Sequence, residues 1–282
     1  MEQTLITLGT ISVFFLGWLG VWSIVAIPLS KKWGWRPFSP TPAEQKLRLL
    51  LPLYGLAPIA IAGANQLLHQ SWPDQGLKWT ATSAIDLLIG WGMAIAGLCL
   101  LLWLKTQLQL VTLSPSASTS PPESYFQRLL TVGGLLVIGI LVGGIEEAVF
   151  RGWLQTQLEL VWWPVGAAIA VSLVFALAHL VWDGRPGLWQ QPGLWLLGLV
   201  LVIARWADGG SLALAWGLHA GWVSGLAYIG EFLRPQPMAD KPTWLTGRAA
   251  QPLTDVFDLA LLIITAAVIW SGSGLFAGRG GM

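Results

Sequence analysis

Residues Leu129–Leu160 read LLTVGGLLVIGILVGGIEEAVFRGWLQTQLEL. An uncharged apolar run extends through Ile145, and two acids, Glu146 and Glu147, follow it with a base at Arg151. The window Leu129–Phe150 matches the ~20 residues that a helix needs to cross the ~30 Å hydrocarbon core of a bilayer. Windows of the same kind are Leu5–Leu29, Leu49–Leu68, Thr82–Leu104, Val161–Trp182, Gly193–Ala207, Ser211–Ile229 and Val256–Phe276, of which Gly193–Ala207 is the shortest. The predicted class is all-α, a polytopic membrane protein of about eight transmembrane helices with loops too short for a soluble domain.

Composition agrees. Only 10% of the 282 residues are charged, and counting Gly with the apolar set makes the chain about two-thirds apolar. Soluble domains carry ~25% charged residues and ~45–50% apolar ones on that definition, so a soluble enzyme and a disordered chain are both excluded. Nineteen Trp against three Tyr suggest belts at the membrane–water boundary. A net charge of +1 gives no reason to expect nucleic acid as a partner, and the single cysteine, Cys99, cannot form an internal disulfide.

The first run reads as a retained anchor, since Glu2 precedes it and no basic stretch leads it. With eight spans, alternate loops hold eleven of the fifteen Lys and Arg residues. That asymmetry predicts a cell (inner) membrane protein with both termini outside the cytoplasm. The Ser/Pro-rich segment Ser114–Pro122 separates an N-terminal three-helix unit, 1–113, from a core, 123–282, within one membrane domain overall. No internal repeat is apparent, which speaks against an inverted-repeat transporter.

Ionisable groups inside a span are costly and point to function. Glu147 and Arg151 are spaced i,i+4 in the favourable acid-first order, so an ion pair is expected. Gln155 and Glu159 continue the stripe and carry the helix to about residue 160. Glu146 is rotated ~100° from Glu147 and lies off that stripe, where a carboxylate holds a proton, a metal or a polarised water. His179 falls in the next span. If the two helices meet at Trp162–Trp163, Glu146 and His179 each lie about 16 residues from the turn, ~24 Å along their axes and at one depth. His219 lies in the seventh window between Gly217 and Gly221, which either admit a neighbouring helix or leave room beside the imidazole.

A carboxylate and an imidazole sharing a water can remove its proton, directly or through a bound metal. A second imidazole can complete a metal site or donate to an oxyanion. No G-x-S-x-G or H-E-x-x-H pattern occurs, so those hydrolase templates lack support.

These residues resemble the motifs of the CPBP family, also called ABI, which comprises CAAX-protease and bacteriocin-processing enzymes related to the type II CAAX prenyl endopeptidase. The family's EExxxR stands at Glu146, Glu147 and Arg151, its FxxxH at Phe175 and His179, and its third motif begins at His219. The resemblance covers roughly residues 129–230 and implies a multi-pass intramembrane protease with its site between helices four, five and seven. It implies that Glu146 with His179 activates a water, that Glu147 with Arg151 positions the site, and that His219 helps to stabilise the oxyanion. The pattern departs at Val223, where the family usually has Asn or Asp. An aliphatic side chain neither ligates a metal nor donates a hydrogen bond. Either Ser224, a backbone N–H or water takes its place, or activity is weak or absent.

The expected function is therefore an endopeptidase cleaving a peptide or membrane-protein substrate, lipidated or not, by glutamate/histidine-activated water. Two alternatives stand beside it: a catalytically silent immunity or maturation factor acting by binding, and a proton-coupled transporter. Zn²⁺ on Glu146, His179 and His219 is one expectation for the cofactor, and a metal-free glutamate mechanism is the other. Phe175 is expected to pack, and His69 to sit at the interface.

Overall fold

Every apolar window folds as a helix in the computed structural model, which describes residues 2–114, 124–249 and 251–274. Helices α1 (Glu2–Trp33), α2 (Ala43–Leu68) and α3 (Ala81–Gln107) come first. Helix α4 (Tyr125–Glu147) runs without a break through a π-helical stretch, Ala148–Leu154, into α5 (Gln155–Glu159). Then come α6 (Pro164–Asp183), α7 (Gln191–Ala207), α8 (Ala213–Tyr228), the short α9 (Thr243–Thr246) and α10 (Val256–Ser271). Beyond Ser114 the Ser/Pro-rich linker lies outside the described residues, as do Leu275 and Phe276 at the end of the last window.

Among the described residues six helices are long and apolar enough to cross a membrane, and the chain is an all-α, multi-pass integral membrane protein. The sixth window gains length from a 3-10 segment, Arg185–Gln190, that leads into α7. The shorter elements are α8 and α10, with 16 residues each, or ~24 Å of helix.

The chain divides into two compact units, Met1–Lys78 with Ile145–Leu199, and Trp79–Gly144 with Val200–Met282. In the first, tryptophans bind helix to helix. Trp18 and Trp22 of α1 donate their indole N–H groups to Leu53 O and Leu49 O of α2, each at 2.9 Å. Both pairs are four residues apart, so two successive turns lock in one register. Phe14 stacks on Trp153 of the π-helical stretch at 3.9 Å between centroids. The loop after α1 is tied to the end of α6 by Phe38 N–H to Val181 O, and Lys46 in the first turn of α2 pairs with Asp183 at 3.2 Å. Gly184 turns there at φ +60, and a Cβ would stand 2.7 Å from Phe38 O. Trp18, Trp153 and Trp182 are buried, so several tryptophans expected in boundary belts work in the core.

In the second unit α3 and α8 meet backbone to backbone. Gly217, Gly221 and Gly225 form a stripe of small residues at i,i+4 spacing on α8. A Cβ on Gly217 would overlap Leu87 O, and one on Gly221 would stand 2.8 Å from Trp91 O. Lys105 of α3 reaches Asp255 and Asp258 at the start of α10, both at 2.6 Å and nearly out of solvent. A two-stranded antiparallel sheet pairs β1 (Val111–Leu113) with β2 (Pro235–Pro237).

Candidate active site

The acidic motif sits where α4 changes character. Glu147 is the last α-helical residue before the π-helical turn, a wider geometry that recurs at functional positions. Glu147 and Arg151 are both fully buried, and Arg151 Nη1 donates to Glu147 Oε1 at 2.9 Å. Arg151 Nη2 donates to the carbonyl of Gly198 on α7 at 3.2 Å. Its Cζ lies 4.2 Å from the centre of the Phe175 ring on α6. One guanidinium therefore holds its own helix against two others through an ion pair, a backbone acceptor and a cation–π contact. The polar stripe continues as expected, with Gln155 Nε2 donating to Glu159 Oε1 at 2.7 Å before the helix ends.

The spacing of the second motif has a direct structural use. His179 Nδ1 lies 2.9 Å from Phe175 O, one helical turn earlier. A carbonyl only accepts, so Nδ1 carries the hydrogen and Nε2 of the neutral ring keeps its lone pair. The Phe175 ring also meets the imidazole edge-on at 4.8 Å and packs against Phe150 at 5.3 Å. Phe175 packs, as expected, but it also links Arg151 to His179.

Glu146 points elsewhere, as its rotation from Glu147 requires. It is half-buried, and the hydroxyl of Tyr54 on α2 donates to its Oε1. The Glu146 carboxylate acts electrostatically on the His179 imidazole. The turn between the two helices falls at Trp162–Trp163, before Pro164 opens α6. Glu146, Glu147, Arg151 and His179 thus gather in the first unit. Sequence reading missed two of their partners, Tyr54 and the Gly198 carbonyl. Tyr54 had a signal: it is one of three tyrosines and the only polar side chain from Leu49 to Ile61, and a phenol buried in such a run finds a hydrogen-bond partner.

His219 belongs to the second unit, buried in α8 at 5% exposure. Its flanking glycines admit α3 rather than leaving space beside the ring. From the other side, Gly143 of α4 packs on the His219–Ala220 peptide, where a Cβ would stand 2.9 Å from Ala220 N. Val223 is half-buried. Ser224 Oγ donates to Ala220 O at 2.7 Å and accepts from Trp91 Nε1 at 3.4 Å, so its single hydrogen is engaged within α8. Among the described residues no group of three or more His, Cys, Asp or Glu side chains is placed to hold a metal ion. Of the expected Zn²⁺ set, Glu146 and His179 lie in the first unit and His219 in the second.

Outside the spans, burial pushes the Asp208 carboxyl up to about 6, against hydrogen bonds from Leu214 N–H and Ser211 that pull it down. Burial also pushes up Asp255, aided by the neighbouring charge of Asp258 and opposed by Lys105. Asp74, in the loop after α2, is held low by hydrogen bonds from Ser71. His69 ends α2 in a left-handed turn, its backbone N–H on Asn65 O, and is exposed.

The family model described as type II CAAX prenyl endopeptidase Rce1-like matches residues 128–224. The match covers about a third of the chain, includes all three motifs, and agrees with the family the motifs resemble. No curated protein matches the chain.

Proposed function

We propose that this protein is an intramembrane endopeptidase in which Glu146 and His179 activate a water for attack on a peptide carbonyl. What supports the reading is an imidazole of defined tautomer on α6 and a carboxylate on α4 that acts on it electrostatically, both in one compact unit of a multi-pass membrane protein. A water between them hydrogen-bonds to His179 Nε2 and gives a proton to Glu146 as its oxygen attacks the carbonyl carbon. Glu146 then returns that proton to the leaving nitrogen as the C–N bond breaks, so the water is consumed and both side chains are regenerated. Glu147 and Arg151 hold the machinery in place: the pair fixes the turn after Glu146, and Arg151 supports the ring of Phe175, the residue whose backbone carbonyl sets the imidazole. The match to type II CAAX prenyl endopeptidases supports a lipid-attached peptide as the substrate class. The part given to His219, donation to the oxyanion, is carried by the motif resemblance.

The test is cleavage of a farnesylated, fluorescence-quenched CaaX peptide by the full chain in nanodiscs. Glu146→Gln should lower kcat by at least ~10³-fold while the protein still inserts and folds; general-base removal alone accounts for ~10²–10⁴-fold. Full activity in that variant overturns the mechanism. Activity in the wild type should also survive 1,10-phenanthroline, and loss with the chelator followed by recovery with Zn²⁺ would replace the metal-free scheme.

A further inference from the structure

Tyr54 lies in a run, Leu49–Ile61, that offers no other polar side chain, and its hydroxyl is bonded to the carboxylate on which the proposed chemistry depends. Several features hold it there. The carbonyl of Leu53, the preceding residue, accepts from Trp18, and Leu49 one turn earlier accepts from Trp22, so the rotation of α2 against α1 is set on both sides of one turn. Pro52 and Pro58 bracket Tyr54 inside the helix. Each proline lacks an N–H, which removes the bonds that the carbonyls of Arg48 and Tyr54 would otherwise receive. A helix weakened on both sides of one residue and clamped by two indoles presents that residue at a defined place.

Packing alone does not call for this side chain. A phenylalanine would fill the same volume without bringing a hydroxyl that must be satisfied. Glu147 is the carboxylate that accepts the hydrogen bond of Arg151, and Glu146 the one that accepts the hydroxyl of Tyr54. The hydroxyl has one donor hydrogen, and it is spent on Oε1 of Glu146. A carboxylate can accept about four hydrogen bonds, so one from Tyr54 leaves capacity for a water.

We propose that Tyr54 is a positioning residue for Glu146: its hydroxyl fixes the rotamer of the carboxylate and turns it toward the water shared with His179. The assignment rests on the proteolytic reading above and adds a residue that lies outside all three motifs and outside residues 128–224. Because Tyr54 acts through Glu146 and not on the substrate, its loss must appear in kcat and spare KM. A misplacement of about 1 Å at a reacting group costs up to ~10²-fold, so Tyr54→Phe is expected to lower kcat 10- to 100-fold.

Two measurements on the full chain in nanodiscs test the inference. The first needs no turnover. With [13Cζ]tyrosine the chain gives signals only from Tyr54, Tyr125 and Tyr228, and Tyr54→Phe identifies the Tyr54 line. That line should move in Glu146→Gln, while those of Tyr125 and Tyr228 stay in place. A line that does not move overturns the proposal. The second is the kinetics of the farnesylated CaaX peptide. Tyr54→Phe, which keeps the ring, should show the 10- to 100-fold loss in kcat with KM within twofold and an unchanged thermal midpoint. Wild-type kcat in Tyr54→Phe, or a loss confined to KM, overturns it. If the tyrosine line moves but the wild type does not cleave the peptide, the proteolytic reading fails, and the catalytic part of this inference falls with it.

Discussion

Replacing Arg151 with Met removes one side chain that serves three partners. The guanidinium is fully buried, 2.9 Å from Glu147 Oε1, 3.2 Å from the Gly198 carbonyl and 4.2 Å above the Phe175 ring. Met fills much of the volume but leaves the Glu147 carboxylate buried beside no cation. Breaking a buried pair in this way costs about 3–5 kcal/mol, roughly a fifth or more of the stability of a typical domain. The unfolded chain in a membrane mimic also finds polar partners, which places the expected loss near 3 kcal/mol. Glu147→Gln should cost a similar amount, because it removes the carboxylate that is hydrogen-bonded to the buried cation. The double variant Arg151→Met with Glu147→Gln removes both charges together, and its loss should fall short of the sum of the singles by about 2 kcal/mol. Reversible unfolding in mixed dodecylphosphocholine and SDS micelles, followed by tryptophan fluorescence, gives all three values. Additivity within ~0.5 kcal/mol would refute the claim that the pair is one energetic unit.

Gly217→Ala should cost about 1–3 kcal/mol in the same assay, since its Cβ overlaps Leu87 O and stands 2.9 Å from Trp91 N. Gly92→Ala, whose Cβ meets open space, should be neutral, and equal effects would remove close helix approach as the reason for the glycine stripe. Asp208, with its carboxyl raised from 3.8 to about 6, keeps its proton in the folded chain where the unfolded chain has lost it. Its contribution to stability therefore falls as pH rises from about 4 through about 6 and levels off above that. Asp208→Asn keeps an acceptor for the Leu214 N–H and should flatten that slope, while an unaltered pH dependence counts against burial as the cause. Val223→Asn supplies the amide that the family pattern carries, and it should raise the cleavage rate by ~10-fold or more if an oxyanion donor is missing. An unchanged rate would mean that another group already donates.

Much of the site was legible because its motifs are local. Glu147 to Arg151 and Phe175 to His179 are each one helical turn, so spacing alone predicts who meets whom, and both contacts are present. The turn on which the depth argument for Glu146 and His179 rests was legible for a related reason: Pro164 after the Trp162–Trp163 pair marks where one helix ends and the next begins. What fails by this route is any partner brought from a distant part of the chain. Tyr54 is separated from Glu146 by 92 residues, and Gly198 from Arg151 by 47, and no periodicity links such positions. Likewise, Gly217 and Gly221 could have opened a space beside His219 or admitted a helix, and only the backbone of α3 against α8 decides for the helix.

By itself, the sequence determined that this is a multi-pass helical membrane protein with carboxylate and imidazole groups held inside its spans. Hydrophobic length and charge scarcity follow from the bilayer and need no knowledge of packing. Only the tertiary structure decided the reach of Arg151 to Gly198 and Phe175 and the phenol on Glu146. Each depends on which face of one helix meets which face of another, and in apolar helices of low amphipathicity that rotation is set by side-chain fit, not by pattern.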